Sequence, residues 1–324
     1  MRKLDFSKVV LAIVGDIILD IFRYVEKDRP SAEDLGAFCY TEAHQERLAG
    51  GIGTTARCAV GLGGQAEVYG ASGIGHSADQ LRETLQKVGI VMKLVRVEGR
   101  PTTVKDRVVE KSTNRQIAVL ERQVRTPVDD WAADALVERV RESQAQVVVV
   151  SDFDRGVVTP RLARGLSESA QQFGRPLIVD ARPRPLAWYR EHFPYLSLIT
   201  PNRREAEGML GRSLRTEPEI DRAGRELREA LRCSVLITLS EQGARLYEFE
   251  GGEHAYTPTN GHEVVCVAGA GDTMVATIGL CLGAGMTLHE ACVMAQYAAG
   301  VTVMKPGTEV VTQAELEAAL SAVV

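Results

Sequence analysis

The stretch WAADALVERVRESQAQVVVV, Trp131 to Val150, contains the fold in miniature. Its first part repeats apolar residues every three to four positions, with charges between them, which is the pattern of one helix face against a core. A short polar break follows, and then four valines in a row. An unbroken β-branched run suits a strand covered on both faces, as in a parallel sheet packed between helices.

The same pairing recurs on either side. Val9–Val14, Leu177–Val179, Leu196–Ile199 and Val235–Leu239 read as further buried strands. RLARGLSESAQQF (Arg161–Phe173) and EIDRAGRELREALR (Glu219–Arg232) read as amphipathic helices. Alternating buried strands and helices predict an α/β fold, a three-layer α/β/α arrangement around a mostly parallel sheet. Two segments break the rhythm, at about residues 20–48 and 91–123. The first is polar and irregular; the second holds the short strand-like runs VMKLVRV, TTVKDRVVE and RQIAVLERQ. Both are expected to be half-exposed antiparallel inserts that pair as a small β lid over the sheet's carboxyl edge. An ordinary edge hairpin is the plainer alternative. The expectation is a single domain over 1–324, a length that suits one large core with such an insert.

Composition narrows the function. A formal charge of −5 implies no strongly basic face and argues against a nucleic-acid partner. Local basic pairs such as Arg182–Arg184 and Arg203–Arg204 read as readily as solvated faces. The six cysteines contain no C-x-x-C pair and mostly sit in apolar runs, so neither a disulfide framework nor a zinc site is expected. The apolar run VVLAIVG (Val9–Gly15) is too short for a membrane span and lacks a signal-peptide layout. A soluble, cytoplasmic protein is the expectation.

Glycine marks the candidate chemistry. VYGASGIGHSADQ (Val68–Gln80) has the spacing G-x-x-G-x-G, which does not fit a dinucleotide site, and no acid ends a second strand about 20 residues on. Walker-type and nucleophile-elbow strings are absent. LAGGIGTTARCAVGLGG (Leu48–Gly64) sets Gly50 and Gly51 before a helix-like run; a ligand approach and a close helix–strand crossing explain that pair equally well. CVAGAGDTMVA (Cys266–Ala276) sets Gly269, Ala270, Gly271 and Asp272 before an apolar helix. Its first-turn amides would form an anion cradle. A carboxylate beside an anion site repels the ligand, yet it makes sense as the acceptor of a proton from a hydroxyl attacking a bound phosphoryl group. A capped helix start is the bland reading of the same spacing.

Seven motifs in order resemble the ribokinase-like PfkB carbohydrate kinases, and among them most of all the kinases of ADP-heptose synthesis, which act on heptose 7-phosphate. They are VGDIILD (Val14–Asp20), GRPTTVKDRVV (Gly99–Val109), VVSDFDRGVV (Val149–Val158), LITPNRREAE (Leu198–Glu207), LITLSEQGARLY (Leu236–Tyr247), GAGDT, and AAGVTVMKPGT (Ala298–Thr308). The resemblance implies an ATP- and Mg2+-dependent sugar kinase. Asp272 would be its general base, and Gly269, Ala270 and Gly271 its anion hole. Asn202 and Glu205 would act near Mg2+ and the ATP phosphates, with Thr238, Ser240, Gly243 and Gln296 on the nucleotide side. Asp16, Asp20, Gly50, Gly51 and Thr54 would hold the sugar.

Departures from the pattern bear on the substrate. Thr54 and Thr55 stand where the family has Asn, Arg155 where the heptose kinases have Lys, Val119 where they have Arg, and Gln296 in place of an Asn. Lys105, Arg107, Arg115 and Arg122 on the lid remain available for a phosphate. The expected partner is a small sugar or sugar phosphate, with fructose, ribose or a fructose phosphate as alternatives to the heptose. A silent ligand-binding protein is the reading from another class. Exposed lid edges predict a homodimer through the lid. The chain ends at Val324 soon after the last family helix, so a stand-alone kinase is expected, with any nucleotidyl transfer left to a separate protein.

Overall fold

The computed structural model describes residues 4–34, 36–257 and 264–322. Nine strands form the central sheet. Val10–Gly15 lies between Val147–Ser151 and Gln65–Tyr69, parallel to both. Beyond Val147–Ser151 the parallel order continues through Leu177–Asp180, Leu198–Ile199 and Ser234–Thr238. Two antiparallel strands, Ala244–Tyr247 and Glu253–Tyr256, close that side, and Val91–Met92 closes the other.

The valine run is covered on both faces, as its composition demands. Leu11, Ile13, Val147 and Val149 belong to one core, Ala12, Val14, Val148 and Val150 to the other. Helices Ile52–Gly61, Ala270–Gly283 and Leu288–Val303 pack the first face; Asp130–Arg141, Pro160–Gln172 and Glu217–Leu231 pack the second. Pro160–Gln172 starts where a local donor is satisfied: Thr159 accepts from the Leu162 amide ahead of Pro160, a residue preset for a first turn. The result is the three-layer α/β/α arrangement expected from the sequence.

The two irregular segments supply a second, four-stranded sheet, ordered Phe38–Gly51, Ile17–Pro30, Val104–Glu110, Arg115–Arg122. The expectation of antiparallel pieces needs correction in two places. Ile17–Pro30 and Val104–Glu110 run parallel. Residues 91–96 do not join this sheet: Val91–Met92 extends the central one, and Val95–Arg96 pairs with Ala71–Ser72. Central and second sheets meet at a single residue, Asp16, between Val10–Gly15 and Ile17–Pro30. Among the described residues no helix is long and apolar enough to cross a membrane.

Candidate active site

Parallel strands end at one edge of the sheet, and the polar residues that follow them collect there, as open α/β sheets require. Asp16 follows the first such strand. It is 1% exposed, and its carboxylate accepts three backbone N–H groups: Phe153 at 2.9 Å and Arg155 at 3.0 Å on Oδ2, Val157 at 3.0 Å on Oδ1. Burial raises its pKa, and those amides oppose the shift. Asp16 does not face the cavity. Both its oxygens accept from the 153–157 loop, which it thereby positions, and a carboxylate with about four lone-pair sites keeps acceptor capacity beyond these three bonds.

Asp20 takes the ligand-facing place. A side chain at Gly50 would put its Cβ 2.0 Å from Asp20 Oδ2, so only glycine leaves that carboxylate room. Gly51 has φ +60°, and its Cβ would fall 2.2 Å from the Asp16 carbonyl oxygen. The double glycine is thus a close crossing, and the crossing in turn places Asp20. Arg107 reaches Asp20 at 3.4 Å. Burial raises the Asp20 pKa against the attraction of Arg107 and Lys105.

Two cavities open at this edge. The larger, of about 620 Å³, is lined by Asp20, Gly51, Thr54, Lys105, Arg107 and Gly269 among others. The smaller, of about 180 Å³, is lined by Asp180, Thr200, Asn202, Glu205, Thr238 and Gly271 among others. Phe153, Arg182 and Asp272 belong to both. The acid singled out by its Gly-rich context therefore stands where the chambers join.

The helix Ala270–Gly283 begins there, with Gly269 in the left-handed conformation as its N-cap. A Cβ on Gly269 or Gly271 would meet no atom within 4 Å, so the helix start opens into free space on both sides. That is the shape a phosphate cradle at a helix N-terminus needs. Desolvation raises the Asp272 pKa to about 6, opposed by the Thr55 hydroxyl and by Arg182 and Arg57. A carboxylate poised there is ionised at neutral pH and basic enough to take a proton.

Asn202 and Glu205 form a capping box at the start of Arg203–Leu210: Asn202 Oδ1 accepts from the Glu205 amide at 3.0 Å, and Glu205 Oε2 from the Asn202 amide at 2.8 Å. Asn202 also bridges to Thr238 on the neighbouring strand. Among the described residues no three His, Cys, Asp or Glu side chains converge into a metal cage. Mg2+ needs none, since one or two carboxylates and substrate phosphates commonly hold it. Glu205 and Asn202 on the wall of the smaller cavity fit that donor set.

Other predicted residues fall elsewhere. Ser240 and Gly243 lie in the turn after Ser234–Thr238, Gln296 is buried in Leu288–Val303, Gly50 is buried and Ala270 is half-buried at its helix start; none lines either cavity. Arg115 and Arg122 are exposed and line neither. In their place the structure brings in Arg125, Arg155, Arg182 and Arg184. The Arg182–Arg184 pair is no solvated face. The Arg182 guanidinium stacks 4.6 Å from the Phe153 ring centre and its Nε donates to the Asp152 carbonyl. Arg184 pairs with Asp152 at 2.6 Å and stacks on Trp188 at 4.5 Å. The signal available in the sequence was position: these arginines follow directly on a buried strand that ends in Asp180.

Residues 10–314 match the pfkB family carbohydrate kinases. The chain belongs to that family. Membership makes it a phosphotransferase with a sugar hydroxyl as acceptor, and ATP and Mg2+ are the cofactors of these kinases. The chain is 36% identical over 316 residues to the bifunctional protein HldE of Halorhodospira halophila, covering 97% of this chain and 64% of the relative. It is 34% identical over 323 residues to HldE of Gluconacetobacter diazotrophicus, covering 98% and 65%. The chain thus spans just under two thirds of these relatives. Phosphofructokinase-2 of Escherichia coli, solved with substrates and products, shares the fold with a TM-score of 0.78 at 20% identity, covering 97% of this chain and 99% of that one. Ribokinase of Arabidopsis thaliana, solved with ribose and ATP, gives 0.72 at 19% identity, covering 96% and 98%.

A raised carboxylate pKa is also a stability statement. With a folded pKa of about 6 against 3.8 unfolded, the native state binds the proton more tightly, so ionised Asp272 costs stability above pH 6 and the cost disappears as pH falls toward 4. Asp272→Asn is expected to raise unfolding stability by about 2 kcal/mol at pH 7.5, from about 1.4 kcal/mol per pKa unit discounted for solvent contact, with the gain fading by pH 4. The same variant should lose at least about a hundredfold in turnover. Denaturant melts at the two pH values and an ADP-release assay check both halves; a destabilised variant that keeps its activity contradicts the assignment.

Proposed function

We propose that this kinase transfers the terminal phosphoryl group of ATP to a phosphorylated sugar in the larger cavity, by preference to the anomeric hydroxyl of a heptose 7-phosphate. One observation carries the reading: Asp272 is the carboxylate common to a large cation-rich chamber and a small one edged by Asn202, Glu205 and Thr238. In this reading Asp272 takes the proton of the acceptor hydroxyl. The cradle of Gly269, Ala270 and Gly271 receives the transferred group, whose chemistry asks for positioning and charge neutralisation. Asn202 and Glu205 stand near Mg2+; Thr238, Ser240, Gly243 and Gln296 serve the nucleotide side.

Charge supports the choice of acceptor. Six cations line the larger cavity, Lys105, Arg107, Arg125, Arg155, Arg182 and Arg184, against four carboxylates, Asp20, Glu121, Asp154 and Asp272. Asp152 behind the wall balances Arg184, and Arg182 has only a ring and a carbonyl against it, so a phosphate ester, matched by Arg and Lys through charge and fork geometry, suits this lining better than a neutral sugar. Asp20 and Thr54 would hold sugar hydroxyls at the other end. An anomeric phosphate is the kind of product that a nucleotidyltransferase consumes, and a cytoplasmic setting supplies both substrates.

The second sheet has the form of a lid, because its strands carry Asp20, Lys105, Arg107 and Glu121 over the cavity. Its edge strand Arg115–Arg122 is exposed along its whole length, with Ile117, Val119 and Leu120 in the open. Edges of this kind are normally covered, which supports a homodimer through the lid. Sedimentation at micromolar concentration should give twice the chain mass; a monomer removes this assembly.

ADP release with ATP and Mg2+ is the test of the substrate. D-glycero-D-manno-heptose 7-phosphate, fructose 6-phosphate, fructose and ribose form the panel. The heptose phosphate should lead in kcat/KM, and phosphorylated acceptors should exceed free sugars by about tenfold to a hundredfold, the worth of one charge-assisted contact. A free sugar at the top of the panel would overturn the reading while leaving the kinase intact.

A further inference from the structure

The family pattern draws attention to Thr54, which lines the larger cavity. Its neighbour does something different. Thr55 is fully buried on Ile52–Gly61, and its hydroxyl donates to Asp272 Oδ1 at 2.7 Å, joining two helices 217 residues apart in sequence. We propose that Thr55 is a positioning residue for the catalytic carboxylate, fixing its rotamer and occupying one oxygen so that the other is presented to the acceptor hydroxyl. The inference rests on Asp272 being the base.

The geometry on both sides favours a dedicated support. Thr273, next to the base, accepts from Thr302 at 3.0 Å and contacts the Cys58 thiol at 3.4 Å, so the helix start is pinned from behind by buried groups. A Thr side chain has a narrow choice of rotamers, and the fully buried Thr55 hydroxyl gives its proton to Asp272 Oδ1. Other groups also face Asp272. Arg57 lies on the same helix as Thr55, tied to the Thr308 carbonyl at 3.1 Å, and Arg182 reaches from beyond Leu177–Asp180. Burial pushes the Cys58 thiol up to about 12, so it stays neutral, and burial raises buried Asp180 well above its ordinary range. The two arginines act on Asp272 through the charge they bring; Thr55 is a neutral donor bonded directly to it. Both lower the carboxylate's pKa, but only the direct hydrogen bond also holds its orientation.

Thr55→Val keeps the shape and removes the proton, Thr55→Ser keeps the proton, and Asp272→Asn is the control. The full chain is assayed from pH 5 to 9 with ATP and Mg2+, once with heptose 7-phosphate and once with fructose 6-phosphate. For Thr55→Val the acid limb of kcat/KM should move up by about one pH unit, with about a tenfold loss below the limb and a smaller loss, from the unfixed rotamer, persisting above pH 8. Thr55→Ser should stay close to the unsubstituted protein, and KM for ATP should be unchanged. An unshifted limb in Thr55→Val, or an equal loss at every pH that Ser also shows, overturns the proposal. Should Thr55→Val not fold, Thr55→Ala is read by the same criterion. The two levels separate cleanly: an active Asp272→Asn removes the base itself, whereas an inactive Asp272→Asn beside an unshifted Thr55→Val removes only the role of Thr55.

Discussion

The carboxylate of Asp16 ties the site together. The chain leaves the central sheet at Gly15 and enters the second sheet at Ile17, so residue 16 is the covalent joint between two sheets that also share a core. Three amides of the 153–157 loop close on its two oxygens, and the Ile52 amide donates to its carbonyl at 3.0 Å. One residue thereby fixes the loop bearing Phe153 and Arg155, the helix bearing Thr54 and Thr55, and the direction of the strand bearing Asp20. A buried charge is tolerated only where its hydrogen bonds are supplied, and here the backbone supplies them.

From that joint the site divides its labour by charge. Cations gather around the larger chamber, each held by an acid or a ring: Lys105 by Glu121 at 3.2 Å, Arg184 by Asp152 and Trp188, Arg182 by Phe153. Around the smaller chamber Asp180 and Glu205 are desolvated, with pKa values raised by burial. Acids kept out of water cost stability when ionised, and a cation placed beside them would offset that cost. Arg182 and Asp272 stand where the halves meet, one cation and one carboxylate beside the helix start at Gly269–Gly271. Such an arrangement spends fold stability on chemistry, as active sites commonly do.

Much of this was legible in the sequence, for a physical reason. Val147–Val150 and Val9–Val14 are buried on both faces, and that condition writes itself as uninterrupted β-branched residues. At Gly269–Asp272 the sequence showed a Gly-rich helix start beside an acid, which spacing alone reads equally as an anion cradle or as a capped helix. What escaped was long-range. Alternation cannot say which strand is a neighbour, so the parallel pairing of Ile17–Pro30 with Val104–Glu110 and the departure of residues 91–96 to the central sheet were hidden. Asp16 and Asp20 sit in one motif and are alike in sequence; only the amides from Phe153, Arg155 and Val157 mark Asp16 as a joint. Thr55 stood out only as a departure from the family pattern beside Thr54; its bond to Asp272 was hidden, since that partner lies on another helix.

The central claim is that acceptor and phosphoryl donor meet at Asp272 from opposite chambers. Its most direct test is a crystal structure of the chain with Mg2+, a non-hydrolysable ATP analogue and the best acceptor of the panel. The account predicts the reacting hydroxyl within about 2.6–3.2 Å of an Asp272 carboxylate oxygen, with the terminal phosphate against the amides of the Gly269–Gly271 helix start. An acceptor hydroxyl bound away from Asp272, or both ligands in one chamber, would contradict it.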